Sequence, residues 1–284
     1  MKKPFLQTAV LLLCILSGAV AAADDFSDGM KAYDSGDYKT AYRLFLKSAA
    51  TNNAKALDML GIMYESGQSV PQDLTEAARW FKKAAMLGDA KAQNDIGYMY
   101  ESGRGVPQDY SEAAKWYKLS AGQGYASAQN NLGLMFFYGE SVPQDYAEAL
   151  KWYRLAIAQG NASAQDNLGY MYQTGRGVQQ DYGKAQRLFE LSAAQGNASG
   201  QNDLGYLYLN GLGVQKDYAE AAKWFRMAAG QGYAGASCNL AVLYALGMGV
   251  EKDISMSKQL AQKGADAGDD FCKAVWDRFN LGSY

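Results

Sequence analysis

Apolar and small residues recur along this chain with a helical step that is broken at regular intervals. Between Ala90 and Ser102, the residues Ala92, Ile96, Gly97, Met99 and Tyr100 fall on one side of a 3.6-residue wheel, which predicts a helix with one buried face. Gly103 follows in a position suited to a left-handed cap, and Gly103-Arg104-Gly105-Val106-Pro107-Gln108 reads as a loop. Asp109 with Glu112 three residues later has the form of a capping box. It predicts a second helix reaching about Gly122 that carries Ala113, Trp116, Tyr117, Ser120 and Ala121 inward. Gly124 turns the chain back.

This two-helix pattern returns with a period of 36 residues. Asp37, Asp73, Asp109, Asp145, Asp181, Asp217 and Asp253 keep that spacing, and Tyr follows the Asp in five of the seven cases, so the chain is one array of repeats. Gly61, Gly97, Gly133, Gly169 and Gly205 keep it too, as do Trp80-Phe81, Trp116-Tyr117, Trp152-Tyr153 and Trp224-Phe225. A mid-helix glycine costs about 1 kcal/mol relative to alanine. Its recurrence predicts close packing against it, with the tryptophan of the second helix as the expected occupant. The two ends differ from the rest. Gly29 to Gly61 is 32 residues, a shortened unit that caps the start, and Asp269 to Asn280 reads as a lone helix closing the other end. The expected fold is all-α: a right-handed α/α superhelical solenoid of about seven helix pairs and a C-terminal capping helix. Its divisions are a first capping repeat at 24–53, six repeats at 54–268, and the closing helix and tail at 269–284.

Residues 1–23 stand outside this pattern. Met1-Lys2-Lys3 is cationic, Phe5 to Val20 is almost uncharged and apolar, and Val20-Ala21-Ala22-Ala23 supplies small residues, so 1–23 is expected to be a signal peptide. The mature chain is then expected in the periplasm or secreted, with no membrane span. Of 27 basic and 29 acidic residues, Lys2 and Lys3 leave with the leader, so 25 against 29 gives a net charge of −4. Such a chain offers no basic face for nucleic acid. Composition also removes much enzyme chemistry, because there is no histidine anywhere: no Ser-His-Asp or Cys-His arrangement and no imidazole ligand can be built.

The pattern Ala-x-Ala-x-x-x-Leu-Gly-x-x-Tyr-x-x-Gly-x-Gly-Val-x-x-Asp-Tyr-x-x-Ala-x-x-Trp-Tyr/Phe is followed from Ala126 to Tyr153, with Phe136 and Ser141 in place of its Tyr and second Gly. It resembles the Sel1-like repeat, a relative of the tetratricopeptide repeat with a longer internal loop. The short first unit, with Gly29, Ala32, Tyr33, Gly36, Asp37, Tyr38 and Ala41, looks closer to a tetratricopeptide unit. The resemblance implies a scaffold for protein–protein contacts, in exported bacterial members in envelope signalling, assembly or interaction with host cells. It also implies an alternative, β-lactam binding or β-lactamase-like activity, through a cysteine-rich subgroup whose paired cysteines this chain lacks.

Candidate binding residues come from the outer side of the first helices. With Leu132 at zero, Asn130, Leu134 and Phe137 lie at about 160°, 200° and 140° by the 100° helical step. The equivalent rows are Asp58, Ile62 and Glu65; Asn94, Tyr98 and Glu101; Asp166, Tyr170 and Gln173; and Asn202, Tyr206 and Leu209. These rows are expected to form a concave groove in which amides and carboxylates bond an extended protein or peptide and the tyrosines offer flat contact area. Gln93, Gln129, Gln165 and Gln201 form a further row, expected to bond between neighbouring repeats. Cys238 and Cys272 fall on elements expected to be adjacent, as either a disulfide or two buried thiols. Ser255-Met256-Ser257-Lys258 matches S-x-x-K in form, but no S-D-N or K-T-G accompanies it, and Asp253 makes it an ordinary helix start. No catalytic residue, cofactor or metal ligand is assigned.

Overall fold

The computed structural model describes residues 25–279, and every regular element among them is helical. The expected leader, residues 1–23, and the last residues of the tail lie outside the described range. The chain divides into two compact units at Gln144/Asp145. The first holds α1 (25–34), α2 (Tyr38–Ala49), α3 (Ala54–Ser66), α4 (Leu74–Met86), α5 (Ala90–Ser102), α6 (Tyr110–Gly122) and α7 (Ala126–Tyr138). The second holds α8 (Tyr146–Ile157), α9 (Ala162–Thr174), α10 (Tyr182–Ala194), α11 (Ala198–Asn210), α12 (Tyr218–Gly230), α13 (Ala234–Leu246), α14 (Ile254–Asp266) and α15 (Asp270–Arg278). Within each unit a helix packs on the one that follows it, and in the second unit α9 also touches α11 and α13 touches α15. None of the described helices is long and apolar enough to cross a membrane.

The helix ends follow from local chemistry. Asp109 Oδ1 accepts the backbone N–H groups of Ser111 and Glu112 at 2.9 and 3.0 Å, and Asp73 and Asp217 cap α4 and α12 in the same way. The capping box is only half made. The Asp109 N–H donates to the Tyr100 carbonyl at 2.8 Å, pinning the loop to the first helix, and Glu112 pairs with Lys115 instead of reaching back. First helices end on a left-handed glycine, φ 69° at Gly103 and 73° at Gly175. Two residues on, Gly105 at φ 72° passes so close to the preceding repeat that a Cβ would land on the Leu74 carbonyl.

The core is built from the same positions in each repeat. In the first unit a continuous cluster includes Phe45, Leu60, Met63, Phe81, Ile96 and Met99, and smaller clusters around Phe189 and Phe225 repeat the arrangement in the second. The mid-helix glycines are indeed covered by rings, but the ring is not the tryptophan. An added Cβ would stand 2.6 Å from the Phe81 ring at Gly61, 2.8 Å from Tyr117 at Gly97, 2.6 Å from Phe189 at Gly169 and 2.9 Å from Phe225 at Gly205. The occupant is therefore the residue after the tryptophan at Phe81, Tyr117 and Phe225, and Phe189, which follows Leu188, fills the same position where no tryptophan is present. The tryptophan itself lies 100° round the helix and is half-buried, with Lys83 4.3 Å from the Trp80 ring and Lys223 5.6 Å from Trp224.

At the end of the second unit Cys238 on α13 and Cys272 on α15 are joined as a disulfide, with Cα atoms 4.9 Å apart. Gly264 on α14 faces the bridge, and a side chain there would overlap Cys272 Sγ.

Candidate functional site

Within each unit a first helix buries one side against its own second helix and presents a flank to the next first helix, as α5 does to α7 and α9 to α11. The outer face between these contacts is where the candidate residues were expected, and the structure separates them into two groups.

The amide and carboxylate row is not open. Asn94, Asn130 and Asp166 are buried and Asn202 is half-buried. Asn94, Asp166 and Asn202 belong to a polar seam between successive repeats of the same unit. In the first unit Asn131 Nδ2 donates to Asn94 Oδ1 at 3.1 Å, and Asn94 Nδ2 to Asp95 Oδ1 at 3.1 Å. In the second, Asn239 Nδ2 donates to Asn202 Oδ1 at 3.0 Å, and Asn202 Nδ2 to Asp203 Oδ1 at 2.9 Å. Each rung joins a position to the one 37 residues later, because the neighbouring helix is one period on and its facing residue is one step round the wheel. Buried amides satisfied in this way fix the register between repeats and are not left free to bond a ligand. Phe137 is also buried, its ring 4.9 Å from that of Tyr138.

The aromatic row does reach the surface. Tyr98 is 44% and Tyr206 41% exposed, while Tyr170 and Leu134 are half-buried. Arg104 lies 5.9 Å from the Tyr98 ring and 3.4 Å from Glu65, and Arg176 lies 5.8 Å from the Tyr170 ring. These arginines sit one residue past the capping glycine, and nothing in their loop context marked them as neighbours of the tyrosines. Glu101, Gln173 and Leu209 are half-buried. Glu101 accepts the Tyr117 hydroxyl at 2.5 Å, and Leu209 packs into the cluster around Phe225.

The glutamine row was expected to bond between neighbouring repeats, but its amide–amide bonds stay within a repeat, each accepting from the turn that follows its own second helix, and the bonds that cross to the repeat before run to backbone carbonyls. Gln123 donates to Gln93 at 2.8 Å, Gln195 to Gln165 at 2.8 Å and Gln231 to Gln201 at 2.9 Å, while Gln93 Nε2 donates to the Ala85 carbonyl at 3.1 Å.

Two rungs of the seam are carboxylate pairs. In the first unit Lys91 Nζ sits 3.1 Å from Asp58 Oδ2 and 2.7 Å from Asp95 Oδ2. Burial pushes the Asp58 carboxyl up to about 6, opposed by the Lys91 charge. Burial pulls the Lys91 ammonium down, but the two carboxylates raise it further, so it stays charged. In the second unit Asp166 on α9 and Asp203 on α11 have no such cation. Burial, and then the charge of Asp203, pushes Asp166 up to about 7, and a hydrogen bond with Ser199 opposes this. Burial likewise raises Asp203 to about 6.

The described residues bring together one three-residue group with metal-ligand atoms, Cys238, Asp269 and Cys272, within 4.8 Å of one another. Its sulfurs are bonded to each other, which leaves no thiolate to coordinate an ion. Ser255, of the S-x-x-K match, is exposed on the first turn of α14, and Lys258 lies 5.6 Å from the Trp276 ring.

The chain is similar in structure to a Sel1 repeat protein from Oxalobacter formigenes, with 30% identity over 85% of this chain and 96% of that one and a TM-score of 0.77. A protective antigen present in uropathogenic Escherichia coli strains and displaying an SLR fold matches with 39% identity and a TM-score of 0.64, over 81% of this chain and 50% of that one. A Sel1 repeat structure from Klebsiella pneumoniae subsp. pneumoniae shares the fold at 21% identity, over 72% of this chain and 99% of that one, with a TM-score of 0.53. No curated protein matches the chain. The Sel1 repeat family model matches seven times, at residues 28–53, 54–89, 90–125, 126–161, 162–197, 198–233 and 234–269. With that period, those caps and that helix pairing in view, the chain belongs to the Sel1 repeat family.

Proposed function

We propose that this protein is an exported scaffold, without catalytic residues of its own, that holds a protein or peptide partner on the outer face of its first helices. The Sel1-repeat solenoid fold implies a protein–protein interaction scaffold, and such scaffolds are generally non-catalytic. The exposed tyrosines support this particular face. Tyr98 and Tyr206 stand more than two-fifths exposed at the same position of their repeats, on helices whose other large residues are mostly packed inward. A tyrosine offers a large apolar area and a polar tip while losing little side-chain entropy on binding. The nearby Arg104 and Arg176 add a charged donor that pairs well with acidic or carbonyl groups of a bound segment. Export rests on the cationic, apolar and small-residue succession of residues 1–23.

The test is partner capture by the mature protein beside a Tyr98→Ala/Tyr170→Ala/Tyr206→Ala variant. The expected result is unchanged helicity and a loss of capture of at least tenfold. Unchanged capture would remove this face from the function. Fractionation of cells producing the full chain tests export separately, and retention in the cytoplasm would refute it.

A further inference from the structure

Position 91 of the third repeat is lysine, and the same position three periods later is Ser199. In the first unit the Lys91 ammonium lies between two carboxylates from successive first helices, Asp58 and Asp95. The second unit repeats the two carboxylates, Asp166 and Asp203, and replaces the ammonium with a hydroxyl. Neither α9, α11 nor α13 contains a lysine or arginine, so no internal cation is at hand to take its place. Asp166 is 6% exposed, and its Oδ1 is buried without a hydrogen-bond partner. A buried carboxylate oxygen in that condition is costly, and elsewhere the seam avoids it by placing Asn94, Asn130 and Asn202 at this position.

We infer that Asp166 and Asp203 form a binding site for a divalent cation of the calcium or magnesium class, which occupies the place that Lys91 Nζ occupies in the first unit. The donors are oxygen alone: the two carboxylates, the Ser199 hydroxyl and the Tyr233 phenol that hydrogen-bonds it. That set suits a hard cation and not a thiophilic or imidazole-seeking metal. A doubly charged ion also balances the two carboxylates, which the single ammonium of the first unit does not. The remaining groups on the pair are neutral: Asn202, whose Nδ2 already donates to Asp203, and Tyr233. The one further charge acting on Tyr233, Asp269, is negative. The ion would bridge α9 and α11, tying two successive repeats together.

The experiment compares thermal unfolding and calorimetric titration of purified protein at pH 8, after chelator treatment, with added Ca2+ and, separately, Mg2+. Two variants accompany the wild type. Asp166→Asn places at this position the residue already present in three other repeats, so it should fold. Ser199→Lys rebuilds the internal ammonium of the first unit. The expected result is saturable binding of one of the two ions with an upward Tm shift of about 5 °C. Both effects should be absent in Asp166→Asn and in Ser199→Lys, with Ser199→Lys more stable than wild type before any ion is added. No binding to the wild type at millimolar ion, or an equal shift retained in either variant, overturns the site.

Discussion

Gly97→Ala and Gly122→Ala are the same substitution within one repeat, and their surroundings give them opposite signs. Alanine is favoured over glycine in a helix by about 1 kcal/mol, and that gain is available at both positions. At Gly122, the last residue of α6, nothing lies within 4 Å of the added Cβ, so the gain should be realised as about 0.5–1 kcal/mol of added stability. At Gly97 the Cβ would stand 2.8 Å from two carbons of the Tyr117 ring, well inside ordinary carbon–carbon contact. That ring is fully buried, and its hydroxyl is held by Glu101, so it cannot tilt away without breaking a second interaction. Overpacking of this kind costs about 1–3 kcal/mol. Set against the helix-propensity gain of about 1 kcal/mol, the net effect is a destabilisation of up to about 2 kcal/mol. Urea unfolding followed by far-UV circular dichroism gives the global change, and hydrogen exchange of peptides from α5 and α6 places it, which matters because repeat arrays need not unfold as one step. Trimming the ring in Gly97→Ala/Tyr117→Leu should recover part of the loss, a coupling measurable in a double-mutant cycle. If Gly97→Ala stabilises the protein as much as Gly122→Ala does, the notch-and-ring account of these glycines is wrong.

Two further predictions concern the second unit. Asp166 holds its proton to about pH 7 in the folded chain, through burial and the facing Asp203, and to about 3.9 when unfolded. The folded state therefore keeps a proton that the unfolded state releases. Stability from this site is full below about pH 4 and is lost as pH rises through 7. With chelator present, Asp166→Asn should gain about 1–3 kcal/mol over wild type at pH 8 and almost nothing at pH 4; a pH-independent difference in chemical denaturation would contradict this. The Cys238–Cys272 bridge predicts no free thiol in denatured, unreduced protein. Reduction should weaken the second unit by about 2–4 kcal/mol, visible as faster exchange in α13 and α15 and not in α3 or α5, and two titratable thiols before reduction would refute it.

How much of this was legible beforehand depends on the range of the interaction concerned. Helix ends could be read almost to the residue, because caps are local: Asp109 and its backbone targets are two and three positions apart, and Gly103 closes a turn made by its own neighbours. The capping box was half misread for the same reason at longer reach, since the Asp109 N–H had a better partner in the Tyr100 carbonyl. The tryptophan assigned to the glycine notch was a neighbour error of one residue. Trp116 and Tyr117 are both large, both follow the period, and a wheel drawn for one helix does not say which of them the facing helix meets.

The binding face divides in the same way. The wheel correctly placed Tyr98 and Tyr206 away from the pair's own core, and they are exposed. It placed Asn94 and Asp166 there too, yet these are buried, because the flank they occupy is covered by the next repeat of the same unit and not by their own second helix. Periodicity in a single sequence reports the angle of a side chain on its helix. It does not report what lies at that angle.

The sequence by itself determined the period, the helix pairs, their caps and the membership of one repeat family, all consequences of interactions within about one repeat. Only the tertiary structure decided which polar residues form the seam and that Cys238 meets Cys272. It also decided that one carboxylate pair has an ammonium between its members while its counterpart has none. Those facts depend on how one repeat is laid against the next, 36 or more residues away, where the contact is set by packing and not by local backbone chemistry.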